Sequence, residues 1–250
     1  MQQTLFKQSK IKNKHSPCGQ VKPIVMLRLG DCLDILPTID DNSVDLIITS
    51  PPYEDIAGAG YNGNTKDVLF LKLYSSFIDN IFKEYYRILK HGGQIFFNIK
   101  SKTHKKILKT PHWLEFTNGF QLFDFKSYII WKYAGSFDST RKRYHLDYEI
   151  IYHLSKGDIL LNDDCNIDDP FTSVWYIPHN IKNRLHPTQM PERVVDRILT
   201  TCGIRTGTVL DNFMGSGTTG FVSKKYGFDF IGIELNPNNF EIAKERIEAT

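Results

Sequence analysis

A chain of 250 residues, 41% hydrophobic and 24% charged, is long enough to bury one large α/β core, with or without an insertion. No apolar run approaches the roughly 18 residues needed to cross a bilayer, and MQQTLFKQSKIKNKHS lacks the apolar middle of a signal peptide, so the chain reads as soluble, unexported and cytoplasmic. A net charge of +3 is too small to argue for nucleic acid by itself, and Cys18, Cys32, Cys165 and Cys202 form no C-x-x-C pair, which argues against a disulfide framework or a zinc site.

Residues 1–23 are basic and contain no acid, which predicts an N-terminal arm. From residue 24 an α/β rhythm begins: IVMLRL (24–29) reads as a strand, CLDILPTI as a short helix and loop, and VDLIIT (44–49) as a strand buried on both faces. That strand runs into TSPPYED, where two prolines end the ladder and leave a stiff turn displaying Ser50, the Pro51 carbonyl and the Tyr53 ring. Apolar residues at three- and four-residue steps from Phe70 to Leu89 predict an amphipathic helix stopped by Gly92-Gly93. QIFFNI, SYIIWKY and YEIIYHL are three further strands, and between about 155 and 183 the periodicity dissolves into a small irregular insertion. MPERVVDRILTTCG is a helix, TVLDNF a strand, GSGTTGFVSKKYG a glycine-opened helix, FDFIGIE a strand and NPNNFEIAKERIEA a last helix. Alternating strands and helices imply an α/β fold with a mostly parallel, doubly wound sheet.

DNFMGSGTTG (211–220) carries G-x-G-x-x-G between a strand and a helix, with Glu234 ending the next strand. Glycines admit close approach of a ligand to the backbone, and an acid so placed can hold two ribose hydroxyls. Dinucleotides and S-adenosylmethionine both satisfy that chemistry. Only about one strand and helix follow the loop, so the second nucleotide-binding half of a dinucleotide fold has no room after it.

GDCLDIL, TSPPY, HPTQMP and DNFMGSGTT together resemble the amino-group DNA methyltransferases, in the permuted order of the β class, where the catalytic S/D-P-P-Y motif precedes the F-x-G-x-G motif. The resemblance covers about Leu29 to the C-terminus and implies a circularly permuted S-adenosylmethionine-dependent methyltransferase domain over 24–250. In it, 24–154 is the catalytic half, 155–183 a target-recognition insertion and 184–250 the cofactor-binding half. It further implies that Asp211, Phe213, Gly215, Ser216, Gly217 and Thr218 form the cofactor loop and that Glu234 takes the ribose. Asp31 would lie near the adenosine amine, and His186 and Thr188 would hold the methionine end. Ser50, Pro51, Pro52 and Tyr53 would act on an exocyclic amine, a poor nucleophile until two acceptors draw its hydrogens out of conjugation with the ring. A flipped base would stack on Tyr53. Serine as the first letter of the motif is commoner among N4-cytosine enzymes, with N6-adenine as the runner-up.

Such an enzyme implies double-stranded DNA as partner, with phosphates met by local basic clusters, foremost Arg141, Lys142 and Arg143. Type-related partners are a second copy of the chain and a restriction endonuclease acting on the same site. The 155–183 segment is short and acidic for a base reader. Against this reading stand a dinucleotide-dependent oxidoreductase, which TSPPY does not serve, and a non-catalytic DNA-binding relative, which would not need TSPPY intact.

Overall fold

The computed structural model describes residues 22–52, 67–100, 102–104, 107–109, 114–115, 117–133, 146–162, 167, 170–179 and 189–249, with the backbone alone for 67–73, 102–104 and 107–109. The first strand β1 (Val25–Leu29) leads through the single-turn α1 (Cys32–Ile35) to β2 (Val44–Thr49). The chain continues through α2 (Asp67–Ile88), β3 (Leu89–Ile99), β4 (Lys102–His104), β5 (Ile107–Lys109), β6 (Asp124–Lys132), β7 (Tyr148–Ser155) and β8 (Val174–Tyr176). It closes with α3 (Glu192–Thr201), β9 (Thr208–Asp211), α4 (Thr218–Lys225), β10 (Asp229–Glu234) and α5 (Pro237–Glu248).

Eight strands make one sheet in the order β1-β10-β9-β2-β3-β7-β6-β8, and β4 and β5 form a separate hairpin. Every neighbouring pair is parallel except β3 with β7 and β6 with β7, so β7 alone runs against the rest. The sheet is covered on both faces. On one, α2 buries Ile78, Phe82 and Tyr85 against Ile47, Phe97 and Tyr152. On the other, α3, α4 and α5 bring Val194, Ile198, Val222 and Ile247 onto Leu46, Ile48, Phe96 and Phe230. A central strand between two apolar layers needs apolar side chains in both directions, which is why Ile47 of β2 faces one layer and Leu46 and Ile48 the other.

Two expectations are corrected. The amphipathic helix ends at Ile88, and Gly92-Gly93 lie inside β3, where pairing with β2 jumps from Val44↔Leu89 to Leu46↔Gln94. The glycines accommodate this irregularity, Gly92 at φ +80°, instead of stopping the helix. The 155–183 segment is also not wholly irregular. Within it β8 adds in parallel to β6 through Trp131↔Trp175 and buries Trp175 beneath the sheet edge. A three-residue strand is too short to announce itself by periodicity.

The topology reverses between β9 and β2. From β9 the chain steps outward to β10 on one side, and from β2 outward to β3 on the other, while β2 and β9 pair in parallel through Leu46↔Val209 and Ile47↔Leu210. Their carboxyl ends therefore open side by side at the switch point, where open α/β sheets bind ligands.

Candidate active site

Ser50, Pro51 and Pro52 leave the end of β2 as a turn with Pro51 buried and Pro52 exposed. Three side chains hold it. Thr49 Oγ1 donates to Asp211 Oδ1 at 2.7 Å, Tyr74 Oη of α2 donates to the Pro52 carbonyl at 2.7 Å, and Asn98 Nδ2 at the end of β3 approaches Ser50 Oγ at 3.4 Å. The first of these ties the last residue of β2, just before the S-P-P turn, to the last residue of β9, just before the glycine loop. Burial pushes the Asp211 carboxyl up to about 6, against donors from Thr219, Thr49 and the Phe213 N–H that favour its charged form.

The glycine loop is set from below by several contacts. Tyr85 of α2 donates to Asn212 Oδ1, and the Met214 N–H bonds the Ile233 carbonyl at 3.0 Å. The ring of Phe213 lies 6.1 Å from that of Phe77. Arg246 of α5 donates to the Ser216 carbonyl at 3.2 Å and to Thr218 Oγ1 at 2.9 Å, while its other nitrogen pairs with Glu192 at the start of α3 at 2.8 Å. The two glycines of the loop do different work. Gly215, at φ +52°, faces open space, since an added Cβ would meet only the Phe213 carbonyl at 3.9 Å. Gly217, at φ +73°, faces α5, where a Cβ would come within 2.9 Å of Ala243. Close ligand approach is therefore a property of Gly215, and close helix packing of Gly217.

Glu234 ends β10 beneath this loop. Its Oε2 accepts from the Gly215 N–H at 2.8 Å and its Oε1 from the Asn236 N–H at 2.9 Å, so the carboxylate is fixed while each oxygen keeps a further lone pair. Asp31 stands on the adjoining strand end, where the Gly30 N–H bonds the Glu234 carbonyl at 2.9 Å. It caps α1 by accepting from the Leu33 N–H at 2.9 Å. The structure thus brings Ser50, Pro51, Pro52, Asp31, Asp211, Phe213, Gly215, Ser216, Gly217, Thr218 and Glu234 to one edge of the sheet. Tyr53, His186, Thr188, Arg141, Lys142 and Arg143 lie outside the described residues, as does Cys18. Burial pushes the thiols of Cys32 and Cys202 up to about 12 and about 11, which keeps both protonated and excludes them as nucleophiles at neutral pH. Among the described residues no cluster of acids, His and Cys could hold a metal, and no helix is long and apolar enough to cross a membrane.

Sequence reasoning missed Thr49, Tyr74, Asn98, Glu149 and Arg246. The available signal was a polar residue interrupting an apolar strand, in QIFFNI for Asn98 and YEIIYHL for Glu149. Tyr74 falls on the apolar face of α2 and carried no such signal.

Residues 44–245 match a family model described as DNA methylase, of the N6 and N4 type. The chain belongs to this DNA methylase family. The type II methyltransferase M.HpaI of Haemophilus parainfluenzae is 32% identical to this methylase over 88% of the chain and 73% of the relative. The DNA adenine methyltransferase YhdJ of Escherichia coli (strain K12) is 29% identical over 88% and 81%. Among solved structures, the cytosine-N4-specific PvuII DNA methyltransferase superposes with a TM-score of 0.75 at 17% identity, over 91% of this chain and 89% of that one. A DNA modification methylase of Thermus thermophilus, TTHA0409, complexed with S-adenosyl-L-methionine, superposes with a TM-score of 0.72 at 20% identity, over 90% and 94%. These neighbours share the fold of this methylase, the mostly parallel α/β sheet of S-adenosylmethionine-dependent DNA methyltransferases.

Proposed function

We propose that this DNA methylase transfers the methyl group of S-adenosylmethionine to the exocyclic N4 amine of cytosine within a specific double-stranded DNA sequence. The observation that carries the reading is the Thr49 to Asp211 hydrogen bond, which couples the S-P-P turn to the glycine loop across the switch point. A methyl donor held by the loop and an amine held by the turn would then meet with little rearrangement. The site fits the cofactor. Gly215 offers open backbone, Glu234 offers one spare lone pair on each oxygen toward two ribose hydroxyls, and Asp31 stands on the neighbouring strand end for the adenosine amine. His186 and Thr188 are assigned to the methionine end. When bound, the cofactor supplies an electrophilic methyl on a sulfonium sulfur.

Ser50 Oγ and the Pro51 carbonyl accept hydrogen bonds from the two amine hydrogens, so that the nitrogen lone pair leaves conjugation and points along the line of attack. The N–C bond would form as the methyl–sulfur bond breaks, S-adenosylhomocysteine would leave, and the surplus amine proton would pass to water. Pro52 keeps the turn stiff, and Tyr53 stacks the flipped base. Arg141, Lys142 and Arg143 meet phosphates. No enzyme nucleophile is required, in keeping with the protonated Cys32 and Cys202. The choice of cytosine rests on Ser50 as first letter of the motif, with the cytosine-N4 specificity of the PvuII neighbour in the same direction. The name of the E. coli relative points to adenine N6 as the second reading. Labelled S-adenosylmethionine and DNA, followed by mass analysis of the nucleosides, decides: N4-methylcytosine is expected. N6-methyladenine alone would replace the base and leave the site intact, and no transfer at all would overturn the reading. A role beside a restriction endonuclease follows if the modified site is protected from cleavage.

A further inference from the structure

Behind Ser50, on the same edge of the sheet, lies a buried polar chain that the site as described does not use. Asn98 is 2% exposed and Glu149, at the start of β7, 4%. Asn98 Nδ2 donates to Glu149 Oε2 at 2.9 Å and reaches Ser50 Oγ at 3.4 Å. Glu149 is held in turn by Tyr133 Oη at 3.4 Å, Lys100 Nζ at 3.5 Å and His179 Nε2 at 3.8 Å, from the ends of β6 and β3 and the segment after β8. Burial alone would raise the pKa of Glu149, but His179, Asn98 and Lys100 outweigh it and keep the value below that of an ordinary carboxylate. The group is therefore an anion at neutral pH and can only accept.

That fact settles which way the Asn98 amide faces. With Oδ1 turned toward Glu149, two acceptors would confront each other, so Nδ2 takes that side and its second hydrogen is left for Ser50. Among the described residues Asn98 Oδ1 then has no hydrogen-bond partner. An ion pair serving only to close the sheet end would need Lys100 and Glu149, and not this amide. The 3.4 Å separation is long, as hydrogen bonds in unliganded active sites often are before substrate tightens them.

We propose that Glu149 positions Ser50 for the reaction, acting through Asn98. The amide N–H occupies one lone pair of Ser50 Oγ and fixes the other toward the amine of the target base. The inference rests on the role given to Ser50 above, and its test separates the two. The probe is the enzyme loaded with S-adenosylhomocysteine and bound to a duplex carrying the site that the wild-type protein modifies. In one duplex the target base keeps its amine, and in a second the amine is replaced by hydrogen. Wild type should prefer the amine duplex by up to roughly a hundredfold, about tenfold for each of its two acceptors, while Ser50→Ala and Glu149→Gln should each cut the preference about tenfold and leave the share of the Pro51 carbonyl. The double variant should lose no more than either single one. With S-adenosylmethionine instead, Glu149→Gln should slow single-turnover methylation roughly tenfold at unchanged cofactor affinity. Asn98→Ala breaks the same chain from its middle and should reproduce both results should Glu149→Gln fold poorly. An undiminished amine preference in Glu149→Gln or Asn98→Ala, or losses that add in the double variant, would reduce Glu149 to a packing ion pair. A wild-type protein that neither prefers the amine nor transfers methyl would bring down the reading of Ser50, and this inference with it.

Discussion

Ser50 carries no charge, so its help to an amine comes only from where its lone pair points. A contact of that kind is made to the bound amine and strengthens further as nitrogen turns tetrahedral. Ser50→Ala should therefore lower the single-turnover rate by about 10- to 100-fold, a cost of about 1.5–3 kcal/mol in the transition state, while cofactor affinity stays near wild type. Equal rates in the two proteins would make Ser50 a strand terminator and nothing more. The role proposed for Glu234 is binding. Its two oxygens are already steadied by the Gly215 and Asn236 N–H groups, which leaves them oriented for two hydroxyls. Glu234→Ala should weaken S-adenosylmethionine binding by about 1.5–3 kcal/mol, the range for hydrogen bonds to a charged group. Calorimetry giving an unchanged affinity in the folded variant would remove Glu234 from the site.

Elements, and not single residues, decide what faces the DNA. β6 runs parallel to β3, so its end at Lys132 and the start of β7 at Tyr148 both lie on the edge that carries Ser50. The described ends that flank 134–145, which contains Arg141, Lys142 and Arg143, are thus both on that edge. Replacing the three by alanine should weaken binding to all duplexes alike and flatten its salt dependence by about 0.9 in log–log slope for each phosphate that is no longer neutralised. An unaltered slope would return the cluster to bulk solvent. Most elements were legible beforehand because a two-sided sheet imposes long signals: Val44, Leu46, Ile47 and Ile48 must be apolar toward both layers, and α2, 22 residues long, must repeat its apolar face. β8 was not legible, since its Val-Trp-Tyr owes its place to Trp131 across the pair and not to a local pattern. The site divided in the same way. Ser50, Gly215 and Glu234 sit in short motifs whose spacing the backbone dictates. Thr49, Tyr74, Asn98 and Glu149 reach the turn from four different elements, and only the folded sheet brings them together.

At the scale of the whole molecule, the buried acid that joins the two halves should leave a mark on stability. Asp211 moves from an ordinary value of 3.8 to about 6 on folding, chiefly by burial. Between those values the folded chain keeps a proton that the unfolded chain has released, so this group makes the protein less stable as pH rises from about 4 to about 6, with no further change above. His153 acts in the opposite sense. Burial lowers it from 6.5 to about 4, so over nearly the same window the unfolded chain binds the extra proton and stability rises with pH. The two slopes largely cancel, and the profile of the wild-type protein conceals both. Asp211→Asn isolates one of them. The amide keeps an acceptor for Thr49 and cannot ionise, so the variant should gain on wild type as pH rises, by up to about 3 kcal/mol for a shift of about two units at 1.36 kcal/mol each. Urea unfolding of the two proteins at intervals from about pH 4 to about pH 8 reads this directly. A difference that grows between about pH 4 and about pH 6 and then levels is the expected result. A difference independent of pH would mean that Asp211 titrates normally. The acid would then no longer be a group held at a cost in stability where the S-P-P turn meets the glycine loop, a place where a positively charged methyl donor would favour its ionised form.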